Sequence, residues 1–522
     1  MRRLSDEGWD ATVPVDHNQE NLTKVKNLLD TTGSGFCLAK WQQVTMHLGT
    51  GLTHSCHHPK QHKIPLEELE NNPSALHNTE FKKTQRKAML AGEKPAECDY
   101  CWRVENTGEF SDRHKKSLEP WALAHHDEVA QMTGDENVYP SYLEVSFSNV
   151  CNLKCVYCAP EASSMWVNEL KQYGPMKLLE GTKHLQWAQG WQDLDSLAYK
   201  NREFNPYVDA FWKWFPEAYK HLKVYRITGG EPLLSEETFR SMDFLIANPN
   251  PELEFAINSN LSVPDKLWDR FIEKLILLKD SGSVKKFTMF TSVEAWGERA
   301  EYIRTNLNFE LFKTRYEQLL AMGNVRCVIM ATYNVLSITS FQQLLEWQYA
   351  LKVKYNPINA NQHLEENTGF IMTKGDSLTQ RKQKNPSHSF IAGFDIPYLR
   401  SPDYLDAQFA SHELVEQHMI PTMDWMSAHV ANAAWGDHCG FEPFEVDKLK
   451  NILVHRLYFN RKNRVDREFG EDIRVARAKF FDYINTLDER RNTNFLTTFP
   501  EMANFYELCR RAKESLPKND TI

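Results

Sequence analysis

Residues 141–160 read SYLEVSFSNVCNLKCVYCAP. Leu143, Val145 and Phe147 alternate with polar residues, which is the period of a strand, and that strand runs directly into Cys151, Cys155 and Cys158. A fixed three-cysteine pattern arises by chance in roughly 0.4% of chains with ten cysteines in 522 residues, so the Cys-x3-Cys-x2-Cys spacing carries chemistry. Structural zinc takes four nitrogen or sulfur ligands, commonly as two pairs, whereas three thiolates on one short loop hold three irons of a 4Fe-4S cube. The fourth iron is then open to a substrate or cofactor.

Downstream, KVYRITGGEP (223–232), LEFAINSN (253–260), KKFTMFTSVEA (285–295), VRCVIMATYN (325–334) and AGFDIPYL (392–399) read as further strands. Helical patterns separate them, at 235–247, 264–279, 308–322 and 337–352. Strand alternating with helix argues for an α/β fold with a parallel sheet or barrel. The polar residues Gly229, Gly230, Glu231, Asn258, Asn260, Ser292, Glu294 and Asn334 follow the predicted strands, at the end where barrel enzymes place their sites.

NVCNLKCVYCAP followed by ITGGEPLL at the end of the next strand resembles the radical S-adenosylmethionine (radical SAM) superfamily. The resemblance spans roughly residues 33–400 and implies a partial (β/α)6 TIM-like barrel. It also implies a 4Fe-4S cluster on Cys151, Cys155 and Cys158 whose open iron chelates S-adenosylmethionine. Reductive cleavage of the cofactor would then give a 5′-deoxyadenosyl radical that abstracts hydrogen from substrate. In that pattern Tyr157 packs near adenine, and Gly229, Gly230, Glu231 and Pro232 orient the methionine amino group. Asn258, Asn260, Ser292 and Glu294 face the ribose, with Glu294 where Asp is common. Arg304 is the candidate for the methionine carboxylate, since a guanidinium fork fits it, and Asn334 is a further cofactor position. Such chemistry requires a reductase or a ferredoxin- or flavodoxin-type electron donor.

A second group, Cys37, Cys56, Cys98 and Cys101, makes a closed set of four. On ligand count alone it suits structural zinc. FCLAKWQQVTMHLGTGLTHSC (36–56) also resembles the SPASM/twitch domains that carry an auxiliary 4Fe-4S cluster, although here the domain precedes the barrel. The neighbouring His54, His57, His58 and His62 read as a polar loop hydrogen-bonded around a site that four cysteines complete. Cys327 reads as a small core residue, and Cys439 and Cys509 as structural.

The chain so divides into an arm at 1–32 without clear period, an auxiliary-cluster domain at 33–115, a core at 140–400 with an insertion at 160–222, and a helical extension at 401–522. Residues 33–115 hold few apolar side chains, so metal is expected to supply folding energy there. The insertion contains Trp166, Trp187, Trp191, Trp212 and Trp214, which either pack or line a substrate mouth. Arg456, Arg461, Lys462, Arg464, Arg467, Arg474 and Arg477 are interleaved with acids and read as a solvated helical face.

A net charge of −9 gives no global pull toward nucleic acid or an anionic bilayer. Without an apolar leader or a run near ~20 apolar residues, the chain reads as soluble and cytoplasmic, with no membrane partner. The substrate stays open between a peptide or protein and a small metabolite, sugar or nucleotide. A non-catalytic iron-sulfur or zinc sensor is the alternative from another class.

Overall fold

The computed structural model describes residues 17–176, 178, 194, 197–200, 203–323, 325–366, 391–399, 401–431, 439–454 and 473–516. The chain divides into two compact units. The first comprises Met1–Val150, Ser196–Ile257 and Asp269–Lys285, and the second Cys151–Asp195, Asn258–Trp268 and Lys286–Ile522.

The strands are β1 (Gln43–His47), β2 (Leu52–His54), β3 (His62–Lys63), β4 (Tyr142–Ser146), β5 (Lys154–Cys155), β6 (Val224–Thr228), β7 (Asn250–Ser259), β8 (Val284–Thr291), β9 (Arg304–Thr305), β10 (Val325–Met330) and β11 (Ala392–Asp395). In the first unit β1, β4, β6 and β7 pair in parallel, and β2 and β3 extend the β1 edge antiparallel. In the second, β8, β10 and β11 are parallel. Each of β4, β6, β7, β8 and β10 is followed by a helix before the next parallel strand. This is a mixed α/β fold with a largely parallel sheet, consistent with the partial TIM-like barrel. The five strands expected after residue 220 all form, because each carries an apolar run bounded by turn residues.

Two expectations about the N-terminal region are overturned. The arm contains a helix, Gln19–Thr32, capped by Asn18, whose side chain accepts from the Asn21 amide at 2.9 Å. Charged residues mask its apolar stripe of Leu22, Val25, Leu28 and Leu29, all buried. Nor is the region short of a core. Those four side chains join Phe36, Trp41, Trp102, Leu118, Trp121, Leu123 and Val129 in one buried cluster, drawn from both sides of the 33–115 boundary. A few large aromatics supply area that a count of apolar residues misses.

In the insertion, Trp166 and Trp214 are buried, and Trp212 packs under the Arg240 guanidinium at 4.0 Å. Trp187 and Trp191 lie outside the described residues, as do the basic residues from 456 to 467. Arg474 is exposed, while Arg477 donates to the Phe409 and Ala410 carbonyls. Cys327 on β10 and Cys509 are buried. Among the described residues no helix is long and apolar enough to cross a membrane.

Candidate active site

In the second unit the cysteine loop is pinned by backbone and side-chain bonds from three directions. β5 pairs antiparallel with β9, setting Cys155 opposite Arg304, and the Val156 amide donates to the Ile303 carbonyl at 2.8 Å. Helix Ser164–Tyr173 sends Ser164 Oγ to accept from the Cys151 amide at 3.1 Å, Ser163 Oγ to the Leu153 carbonyl at 2.8 Å, and Trp166 Nε1 to the Cys155 carbonyl at 2.8 Å. Helix Ile473–Arg491 supplies Tyr483, whose hydroxyl donates to the Val156 carbonyl, and Arg491, which donates to the Lys154 carbonyl and to Thr305 Oγ1, both at 3.0 Å. Arg491 and Lys154 also share the buried Glu169 carboxylate, at 3.1 and 2.8 Å. Glu169, Tyr483 and Arg491 escape a sequence reading, since each acts on a loop far away in the chain.

The loop leaves Cys151, Cys155 and Cys158 partly accessible, and none of the three is in a disulfide. The Leu153 amide donates to Cys151 Sγ at 3.4 Å, and Asn260 Nδ2 lies 4.0 Å from the same sulfur while donating to Asn152 Oδ1 at 2.9 Å. Burial pushes the Cys155 and Cys158 thiols up, and the Arg304 charge opposes this at Cys155.

Arg304, Glu294, Tyr157 and Cys155 form one network. Arg304 Nη1 donates to Cys155 Sγ at 3.5 Å, Nε and Nη2 donate to Glu294 Oε2 at 3.0 and 2.6 Å, and Nη2 also reaches the Tyr157 hydroxyl. The Tyr157 hydroxyl in turn donates to Glu294 Oε2 at 3.0 Å. Burial disfavours the charged guanidinium, yet the Glu294 carboxylate prevails and holds Arg304 well above its ordinary range. Glu294 is fully buried, and its second oxygen, Oε1, has no hydrogen-bond partner among the described residues. Such an acceptor is costly to leave unmet.

The remaining strand-end residues divide. Ser292 and Asn258 are half-buried just beyond and within the last residues of β8 and β7. Asn260 Oδ1 accepts from the Ser262 amide at 2.8 Å. Asn334 is spent on its own turn, donating to the Thr332 carbonyl and accepting from the Leu336 amide, both at 2.9 Å.

In the first unit, Gly229 to Pro232 form a turn after β6. Gly229 has φ +131°, and a Cβ there would lie 2.8 Å from Ser146 Oγ; at Gly230 it would lie 2.3 Å from the Val150 carbonyl oxygen. The two glycines thus let the turn dock on residues 146–150, and the Glu231 amide donates to Val150 O at 2.7 Å. Glu231 is buried, with Oε1 accepting from the Leu233 amide at 3.0 Å. Phe147, Ser148, Thr228, Glu231, Pro232 and Thr238 are among the residues lining a small cleft here.

The first unit also gathers Cys37, Cys56, Cys98 and Cys101 around one cavity with Lys40 and Arg113 in its wall. Burial pushes Cys56 and Cys101 up to about 12 and Cys98 up to about 11. Lys40 pairs with Glu97, and Arg113 with Glu105 at 2.9 Å. Among the described residues, the one trio of metal-type donors lying mutually within 4.8 Å is His57, His58 and Asp112, so no three of these thiols approach that closely.

No curated protein and no solved structure matches the chain. A family model does. The model described as Radical SAM superfamily matches residues 145–347, a span holding the cysteine loop, the double-glycine turn and the Glu294–Arg304 pair. Across those residues the chain carries a Radical SAM superfamily domain and, with it, an enzyme's architecture.

Proposed function

We propose that the protein reductively cleaves S-adenosylmethionine at a 4Fe-4S cluster held by Cys151, Cys155 and Cys158. The observation that carries this reading is the second unit's combination of three cysteines outside any disulfide on one braced loop with Glu294 Oε1, a buried acceptor with no partner among the described residues. The donor set fits the group: three thiolates on one short loop suit three separate irons of a cubane, whereas structural zinc takes four donors. When bound, such a cluster supplies one electron to the sulfonium C–S bond and so generates a 5′-deoxyadenosyl radical for hydrogen abstraction.

The chain's own residues hold and shield this chemistry. Arg304 donates to the Cys155 sulfur and keeps Glu294 Oε2 occupied, which leaves Glu294 Oε1 to accept a hydroxyl of the cofactor's ribose. With its guanidinium committed to Cys155, Glu294 and Tyr157, Arg304 is better suited to tuning the cysteine than to gripping a methionine carboxylate. Tyr157 offers a ring for adenine, and Asn258, Asn260 and Ser292 polar contacts to the ribose. A donor of the reductase, ferredoxin or flavodoxin type must deliver the electron.

The four cysteines around one cavity support an auxiliary 4Fe-4S cluster on Cys37, Cys56, Cys98 and Cys101. With four thiolates it has no open iron, so electron transfer suits it better than substrate binding. Auxiliary clusters favour a peptide or protein as substrate.

The test is anaerobic purification, counting of iron and sulfide, and assay of 5′-deoxyadenosine under dithionite. About eight irons and release of 5′-deoxyadenosine support the whole reading. About four irons with zinc would keep the enzyme and remove the auxiliary cluster, while loaded cluster without cleavage would sink the enzyme and leave a redox sensor.

A further inference from the structure

His57 and His58 follow Cys56 directly, and Asp112 opens the helix Asp112–Leu118, 54 residues beyond His58. The fold brings all three together in the first unit. His57 Nε2 lies 3.2 Å and His58 Nε2 2.9 Å from one and the same oxygen, Asp112 Oδ2. Their rings stand 4.0 Å apart, and the His58 ring is stacked on Tyr100 at 3.7 Å and 14°. Tyr100 thus fixes the direction in which His58 presents its nitrogen. The side chain of His57 is 58% exposed, that of His58 15% and that of Asp112 22%, so the cluster opens to solvent on the His57 side.

We infer that His57, His58 and Asp112 are a binding site for a single divalent transition ion, zinc being the chemically best match, separate from the four-cysteine set. Three features support this. First, two imidazole nitrogens from adjacent residues converge on one carboxylate oxygen, so a single cation placed among them would meet all three donors at once.

Second, the geometry needs little adjustment. Around tetrahedral zinc with Zn–N and Zn–O bonds of ~2.0–2.1 Å, neighbouring donors sit ~3.3 Å apart, close to the 2.9 and 3.2 Å found here. Third, the donor types are those of borderline divalent ions, two imidazoles and a carboxylate, and three protein ligands leave one coordination position for water. That vacancy and the exposed His57 describe an exchangeable ion. The ion also has a place in the first unit's electrostatics, because His58 and Asp112 line the same cavity as Cys56, Cys98 and Cys101. Its charge would sit in the wall of the thiol site.

The test uses the full chain, handled anaerobically with its iron loaded, equilibrated with zinc chloride and freed of loose ion by gel filtration. Zinc and iron are counted and the zinc K-edge absorption is recorded for the wild type, Asp112→Asn and His57→Gln. The expected result is one zinc per chain in a nitrogen and oxygen shell at ~2.0–2.1 Å. Affinity should fall by at least about tenfold in both variants, the loss produced even by removing a residue hydrogen-bonded to a ligand, with the iron count unchanged. Since His57 is largely exposed, its variant reads out even where Asp112→Asn disturbs folding. A zinc shell of sulfur alone at ~2.3 Å, no retained zinc, or equal retention by wild type and both variants would overturn the assignment.

Discussion

Cys155 and Arg304 face each other across the two-residue ladder of β5 and β9, and the guanidinium donates to the sulfur at 3.5 Å. A positive donor on a thiolate stabilises the more negative, reduced state of whatever metal that thiolate holds. Arg304→Gln is therefore expected to lower the reduction potential of the cluster on this loop. A charge-assisted hydrogen bond of about 1.5–3 kcal/mol bounds the shift at roughly 65–130 mV for one electron. A redox titration followed by electron paramagnetic resonance reads it, and an unmoved potential would remove Arg304 from this role.

The same substitution has a cost in stability. Glu294 is fully buried, so losing its partner leaves an uncompensated charge worth about 3–5 kcal/mol. Arg304→Met combined with Glu294→Gln should cost clearly less than the two single changes added together. Denaturant melts of the four proteins complete the cycle, and simple additivity would show that the pair is not coupled.

Arg491 ties Glu169 and the Lys154 carbonyl to the last helix that braces the cysteine loop. Arg491→Met should lower Tm and reduce the irons retained per chain, because buried Glu169 is left with Lys154 and the helix holds the loop through Tyr483 without Arg491. Arg510, whose partners Glu507 and Glu514 lie exposed on one helix, is the contrast: Arg510→Ala should leave both readings where they are. Equal behaviour of the two variants would refute the bracing role.

At Gly230 a methyl group would meet the Val150 carbonyl oxygen at 2.3 Å and the Asn149 carbonyl carbon at 2.7 Å, backbone atoms that cannot swing aside. Gly230→Ala is expected to cost about 1–3 kcal/mol, the range for overpacking, and to lose S-adenosylmethionine binding in equilibrium dialysis. Wild-type melting and binding would mean that the turn does not depend on that approach.

His77 is fully buried; its Nε2 donates to the Trp41 carbonyl at 2.7 Å and Lys82 Nζ donates to its Nδ1 at 2.8 Å. Burial, then the Lys82 and Arg86 charges, hold its pKa well below the ordinary value. The unfolded chain therefore takes up the proton first. Stability from this group is complete above a pH of ~6.5 and is lost as the pH falls from there, by about 1.4 kcal/mol per pH unit for one proton. Denaturant melts between pH 7 and 5.5 should show a slope in His77→Gln that is shallower than the wild type's by up to that one-proton amount, since other histidines with lowered pKa values contribute to both; equal slopes would count against it.

The parts of this protein that could be read from its sequence are the local ones. The strand before Cys151, the thiol spacing and the glycines of 229–230 each declare themselves within a dozen residues, through a period, a ligand interval or a steric need. What stayed hidden is long-range. Nothing near Tyr483 indicates that its hydroxyl reaches Val156, 327 residues away, nor does the charged stretch 19–32 advertise that Leu22, Val25, Leu28 and Leu29 close a core on Trp41 and Trp121. Arg304 is legible as a cation suited to a carboxylate, but the partners it has here are not, since Cys155 faces it only through a two-residue pairing.

The bond from Tyr483 to Val156 also sets a timetable for biosynthesis. At ~5–20 residues per second, a ribosome needs roughly 15–65 s to travel the 327 residues between them. Throughout that interval the three thiols are already made while their last clasp is not, so insertion of iron into a finished loop waits on translation of the distant helix.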